Sequence, residues 1–317
     1  MTAMLRFEPG FHERVWGGRR LASIFGKPLP EGVIGESWEL VDRPGEQSIV
    51  ASGPHAGRSL GELWRSDERR TIFGSRAEGW GDRFPILVKL LDCTQTLSVQ
   101  VHPPATLVPD LGGEPKTEMW VIVAAEPDAH LYAGLRRGVT REAFGEALGR
   151  GDDVSGMLHR IDVDAGDVMF LPSGRVHAIG AGNVIVEIQQ NSDTTYRVFD
   201  FNRPGLNGEP RDLHIEESMR SIDWDDVEPS LVVPDGETLV AGDLFVVERW
   251  QVDRPRPVTD PGECAIVAAL DGGLVVAGQE LEAGSFGLVP ADARDATIAA
   301  ASPGATATAL RITLPAR

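Results

Sequence analysis

Ser98, Gln100 and His102 stand two apart in the stretch Leu97-Ser98-Val99-Gln100-Val101-His102. If this stretch is a strand, alternation puts the three polar side chains on one face and Leu97, Val99 and Val101 on the other. After a Pro/Gly-rich loop, Lys116 and Glu118 open the strand-like run KTEMWVIVAA, again two apart and on one face. A second phrase, GDVMFLPSGRVHAIG at 166–180, adds His177. A Gln, a Glu and two His side chains form a donor set for a metal ion, with imidazole nitrogens, one carboxylate and one amide oxygen.

The elements that must position these residues read as strands. The chain has 317 residues with Gly 36 and Pro 22, and short apolar runs lie between the turn formers. This composition suits an all-β chain rather than a helical bundle. Residues 84–203 are dense in strand patterns, interrupted by TREAFGEALGRGD (140–152), a helix capped by Thr140 and ended near Gly149–Gly151. In residues 1–83, aromatic-glycine clusters (VWGGRRL, GESWEL) surround one amphipathic segment, SLGELWRSDERRTIFG. It reads as a short helix with Ser59 as N-cap and Glu62 three residues on. Residues 204–230 read as a loop and a short helix, and 238–314 return to strands.

Charge and cysteine content narrow the partners. A net charge of −18 argues against nucleic acid and anionic membranes, which need a basic face. No apolar run approaches a membrane span, the N-terminal residues carry no signal-peptide pattern, and Cys93 and Cys264 are lone and far apart. The expectation is a cytoplasmic protein without disulfides, monomeric or homodimeric. Among 30 basic residues only Lys27, Lys89 and Lys116 are lysines, and two of these fall in the motif block. Where Arg is the default, a Lys reads as a place that needs a compact ammonium rather than a planar fork, with chance plus a salt bridge as the alternative. His12, His55, His130, His159 and His214 lie outside the motifs and read as surface or hydrogen-bonded residues. Trp16, Trp38 and Trp120 read as packing, and Cys93 as a small buried hydrophobe.

The two halves echo each other weakly. Gly166 and Pro172 bracket five residues before Ser173, Gly174 and His177, and Gly284 and Pro290 bracket five in EAGSFGLVPADARD. The positions matching Gly174 and His177 are Asp292 and Asp295, so the C-terminal copy keeps the turn-and-strand phrase and lacks the ligand.

The pattern G-x5-P-x-G-x2-H, with QVH and a later Glu, resembles the signatures of the cupin superfamily, with Gln100 in place of the usual first histidine. FPILVKLLD, LSVQVHP, KTEMW, LPSGRVHAIG and QQNSDTTYRVFDFNR, in this order, resemble the type I mannose-6-phosphate isomerase family, from about residue 10 to about 225 and more faintly beyond. The resemblance implies two double-stranded β-helix (cupin, jelly-roll-like) barrels with short helices. On this reading residues 1–83 are an extension packed on the first barrel. Residues 84–230 are the metal-bearing catalytic barrel, with a helical insert at 140–152 and a connecting segment at 204–230. Residues 231–317 form a barrel without metal ligands.

The family resemblance implies one Zn2+ per chain held by Gln100, His102, Glu118 and His177, with Lys89, Ser98, Lys116, Arg197 and Arg203 around a sugar phosphate. Arg203 stands where the family often has Lys, and the helical insertion is short. The implied activity interconverts mannose 6-phosphate and fructose 6-phosphate through an enediol(ate), whose charge needs a Lewis acid and a fixed cation. Arg197 is implied as that cation, with Lys116 beside the reacting carbons, and Lys89, Ser98 and Arg203 for the phosphate. The base stays open among Glu118, Lys116 and a metal-bound hydroxide. Two other readings compete: an iron cupin oxidoreductase, and a non-catalytic sugar-binding cupin.

Overall fold

All residues of the strand Ile86–Cys93 are buried, because both faces of its sheet are covered. The computed structural model describes residues 4–293 and 295–316. The strand lies inside a six-stranded antiparallel sheet ordered Val168–Leu171, Glu118–Ala125, Asn183–Gln190, Ile86–Cys93, Ile34–Leu40, Gly10–Gly18. Val88, Leu90, Val121 and Val186 on its outer face share one core cluster with Val247, Ile266, Leu288 and Ile312 of the C-terminal half. Lys89, Leu91 and Cys93 take the opposite, inner face by alternation.

A five-stranded sheet faces that inner side, ordered Leu158–Asp162, His130–Leu135, His177–Ile179, Val99–Val101, Tyr196–Phe199. Leu91, Trp120 and Ile185 from the first sheet meet Leu131, Ala133 and Ile179 from the second, closing one end of a two-sheet barrel. Outside the five-stranded sheet, Val99, Val101 and Val198 pack against Phe144 and Leu148 of the helix Arg141–Arg150. That helix has the expected ends: Thr140 Oγ1 accepts from Ala143 N, and Gly151 is left-handed at φ 74°. Leu97 departs from the expected alternation and packs with the barrel interior rather than with Val99 and Val101. The strand begins only at Val99, so the period-two rule does not reach back to residue 97.

The C-terminal half repeats the plan. Its seven-stranded sheet is ordered Thr238–Ala241, Val246–Val252, Ala307–Thr313, Ala265–Asp271, Phe286–Val289, Leu5–Glu8, Ile49–Val50. A four-stranded sheet of Arg256–Pro257, Thr297–Ala300, Leu274–Val276 and Gln279–Leu281 makes up the rest. The echoed phrases occupy matching places: Gly166 and Gly284 both have positive φ (98° and 76°), and each precedes a strand.

The N-terminal segment serves both sheets. Leu5 pairs with Leu288 and Phe7 with Val50, and two residues after Glu8 the strand Gly10–Gly18 extends the six-stranded sheet. The capping box at Ser59 and Glu62 is present. The amphipathic segment forms two helices, Leu60–Arg65 and Arg69–Phe73, rather than one. Ser66 divides them: its backbone is extended (ψ 168°), and its hydroxyl donates to the Leu63 carbonyl and accepts from Glu68 N.

Candidate metal centre and its cavity

Two short strands and one long one bring His102, Glu118 and His177 together. His177 starts the strand His177–Ile179 and pairs with Gln100 across the sheet, while Glu118 starts its own strand on the opposite sheet. His102 Nε2 lies 3.5 Å from one Glu118 carboxylate oxygen and His177 Nε2 lies 3.4 Å from the other. The three side chains are buried, and they form the one group of three such ligands found among the described residues. His102 Nδ1 donates to the Thr194 carbonyl and His177 Nδ1 to the Arg175 carbonyl, each at 2.9 Å. A carbonyl can only accept, so both protons sit on Nδ1 and both Nε2 lone pairs point at Glu118. His102 Nε2 is buried with no hydrogen-bond partner. An orphaned imidazole lone pair beside a carboxylate and a second imidazole is a donor set that fits a divalent cation.

The electrostatics keep these donors in ligand form. Burial, with the Lys116 ammonium adding to it, pushes His102 down to about 4, and burial also lowers His177. Both rings are neutral at neutral pH. Burial opposes ionisation of Glu118, but the Lys116 ammonium at 2.6 Å outweighs it and holds the carboxyl well below its usual range. Lys116 is raised despite burial by Glu118 and then Glu187, the opposite of the depression a neutral amine base requires. Gln100 Nε2 donates to Ser98 Oγ at 3.1 Å, which leaves the amide oxygen as the atom available to a metal.

A cavity of about 560 Å3 opens next to this group, bordered by Gln100, Lys116, Lys89, Arg197, Glu187 and Glu36 among others. Lys89 Nζ is 3.3 Å from Glu187 and 4.7 Å from the centre of the Trp38 ring. Trp120 Nε1 donates to Glu187 at 3.1 Å, and its ring meets His177 edge-on. Glu36 accepts two bonds of 3.0 Å from Arg14 and one of 2.7 Å from Trp38 Nε1. Burial opposes its charge, yet Lys89 and Arg14 hold it down to about 2. Arg197 donates Nη1 to the Asp212 carbonyl at 2.8 Å, and its Nε is buried without a partner.

Gln100, Lys116, Lys89 and Arg197 therefore meet at one cavity with the His102–Glu118–His177 group beside it. Ser98 and Arg203 are not on the cavity wall: Ser98 is buried behind Gln100, and Arg203 is bound to Asp200 and the Thr96 carbonyl. Glu36, Glu187 and Arg211 border the cavity and were not singled out from sequence. The visible signal for Glu187 was a lone carboxylate inside the apolar run NVIVEIQQ. Trp38 and Trp120 do pack, as expected, and what they pack against is Lys89, Glu187 and His177.

Fold and site together define a cupin of two barrels with a metal-binding group in the first. The family model for the type I phosphomannose isomerase catalytic domain matches residues 4–114. GmuF, a probable mannose-6-phosphate isomerase of Bacillus subtilis, is 39% identical over 264 residues, 80% of this chain and 81% of that protein. The chain belongs to the type I mannose-6-phosphate isomerase family. ManA, the mannose-6-phosphate isomerase of the same organism, is 35% identical over 288 residues, 88% of this chain and 89% of its own length. A crystal structure of the Bacillus subtilis mannose 6-phosphate isomerase superposes with a TM-score of 0.85 at 31% identity, covering 98% of this chain and 99% of that one. A zinc-bound mannose 6-phosphate isomerase structure shares the fold at a TM-score of 0.78 and 15% identity, over 99% of this chain and 100% of that one.

Proposed function

We propose that this protein is a zinc-dependent aldose–ketose isomerase that interconverts mannose 6-phosphate and fructose 6-phosphate through an enediol(ate). One observation carries the reading: two Nδ1-anchored imidazoles and a carboxylate, with an unpartnered Nε2, adjoin a charged cavity in a chain of this family. Gln100, His102, Glu118 and His177 are the residues that would hold one Zn2+ per chain. That ion, when bound, supplies a Lewis acid for the sugar oxygens.

The chain's own residues do the rest. Arg197, on the cavity wall with a free Nε, presents fixed positive charge where negative charge develops on the substrate oxygens. Lys116, kept protonated by Glu118 and Glu187, donates a hydrogen bond to the same oxygens. Glu36 is a poor base, being held ionised by two cations. Glu187 joins the candidate bases as a cavity carboxylate outside the metal group. Lys89 supplies a buried cation to a dianionic substrate in a chain of net charge −18. Ser98 and Arg203 act from behind the wall in this arrangement, Ser98 by fixing the Gln100 amide.

The catalytic unit in this proposal is the barrel within 84–230, with 1–83 as its extension and 231–317 as the metal-free barrel. Cytoplasmic location fits two buried free thiols, Cys93 and Cys264. The test is turnover of mannose 6-phosphate by the purified protein before chelation, after it, and after zinc is returned. Activity is expected to vanish and come back. No turnover by zinc-loaded protein, or full turnover after metal analysis shows none left, overturns the proposal.

A further inference from the structure

Three guanidinium groups, those of Arg197, Arg203 and Arg211, gather beside one buried carboxylate, Asp200, at the edge of the cavity. They are not equivalent. Arg203 donates Nε to Asp200 at 3.1 Å, sets Nη2 at 3.0 Å from the same oxygen, and gives Nη1 to the Thr96 carbonyl at 2.5 Å. Its Nη2 makes that ion-pair contact without a hydrogen bond and is buried, and Arg203 does not border the cavity. Arg211 forks onto Asp200, with Nε to Oδ2 at 2.7 Å and Nη2 to Oδ1 at 2.5 Å. Its Nη1 takes no partner among the described residues, and Arg211 borders the cavity.

The backbone makes this arrangement. Phe201 and Asn202 both adopt positive φ (55° and 51°), so the chain doubles back directly after Asp200. Pro204 and Pro210 then pair across an antiparallel bridge, and Gly205 N donates to the Glu209 carbonyl at 2.7 Å. The closed hairpin returns Arg211 to Asp200 and lays Gly205, Leu206 and Asn207 along the cavity. Two non-glycine residues in the left-handed region are a strained way to turn, of the kind kept where geometry matters. Asp200 and Asp212 are the carboxylates acting on these three guanidinium groups, which leaves one positive charge in surplus, and Arg211 stands on the open side. Asp193 borders the same cavity, so the cationic edge is local rather than general.

We propose that Arg211 is the phosphate anchor of the cavity: the fork onto Asp200 fixes its guanidinium so that the free Nη1 edge binds the phosphate group of the sugar, and Arg203 braces Asp200 from behind. The inference rests on the substrate being a sugar phosphate. It moves the phosphate contact from Arg203, which is buried off the cavity wall, to Arg211, whose guanidinium borders the cavity.

Inorganic phosphate is the probe that separates this inference from the isomerase reading. Its binding to zinc-loaded protein is titrated calorimetrically, and its inhibition constant is measured against mannose 6-phosphate turnover. Losing one charge-assisted contact predicts that Arg211→Ala raises both the KM for mannose 6-phosphate and the phosphate inhibition constant about 10- to 100-fold, with a smaller fall in kcat. Arg211→Lys keeps the charge without the fork and recovers part of both. Values within about twofold of wild type in Arg211→Ala overturn the proposal. So does a fall in kcat and melting temperature with phosphate affinity unchanged, which makes Arg211 a structural brace only. Wild-type protein that binds phosphate without turning over the sugar sinks the isomerase reading, and the Arg211 comparison then runs on phosphate binding alone. Wild-type protein that does neither overturns both.

Discussion

The two barrels share a plan and differ inside. The first encloses Lys89, Lys116, Glu118, Glu187, His102 and His177, all at 6% exposure or less. The second is filled by Val252, Val267, Leu274, Val276, Leu281 and Ile298, with Arg311 as its buried cation, held by Glu248 and Glu263. Buried ion pairs return little net stability, because desolvation consumes most of the Coulomb gain. Packed aliphatic side chains contribute about 1.5–3 kcal/mol each. The barrel with the charged interior therefore gains less from its own filling than its neighbour does. The sheet behind it is supported through Val88, Leu90 and Val186 against Ile266, Leu288 and Ile312 of its neighbour.

The largest expected effect that would break this contrast is at the metal group. His102→Ala or His177→Ala should release the metal and cut kcat/KM by about 10^3-fold or more, the scale of several kcal/mol of lost Lewis-acid stabilisation. Elemental analysis with steady-state kinetics checks it, and full zinc occupancy in both variants would refute the ligand assignment. Next comes Arg197→Ala, for which kcat should drop about 10²–10³-fold with a smaller change in KM. A normal kcat in that variant removes Arg197 from the chemistry.

In the supporting barrel the same size of change should appear in stability instead. Leu274→Ala, at a fully buried position, should cost about 2–5 kcal/mol in denaturant unfolding while the folded fraction keeps its kcat. The smallest effect should come from making the first interior resemble the second. The double variant Lys89→Met/Glu187→Gln removes both charges of a buried pair and keeps an acceptor for Trp120 Nε1. Its stability should stay level or rise by about 1–4 kcal/mol, with activity lost. A large loss of stability would mean that the polar interior supports the fold as well as the chemistry.

The legible parts of the fold were those written in local chemistry. Ser59 with Glu62, and Thr140 with Gly151, mark helix ends by satisfying backbone groups within a few residues, so spacing alone reveals them. The grouping of His102, Glu118 and His177 was legible in part for a similar reason: polar residues two apart in strands can share only one face. Glu187 and Glu36 were not, because their meaning depends on register. In Asn183–Gln190 the outward Val184, Val186 and Ile188 are as buried as the inward Ile185, so the apolar residues do not show which face the lone carboxylate Glu187 takes. Arg211 was hidden differently. Only the turn at Phe201 and Asn202 and the hairpin after it bring residue 211 back to Asp200; Asn207-Gly208 marks the hairpin, but the first turn has no glycine to announce it. The short strand Leu5–Glu8 has too few residues for a period to show.

That strand has a consequence for how the molecule is made. A ribosome releases Leu5–Glu8 early and its partner Phe286–Val289 almost last, so through most of synthesis the strand has only the Val50 side to pair with. The other edge waits, with its amides and carbonyls exposed, for a contact some 280 residues away. The seven-stranded sheet is completed only after nearly the whole chain has emerged. Until then the apolar back of the first barrel lacks part of its cover. Folding yield in the cell is thus tied to the wait for one late pairing, during which the open edge is available to other chains.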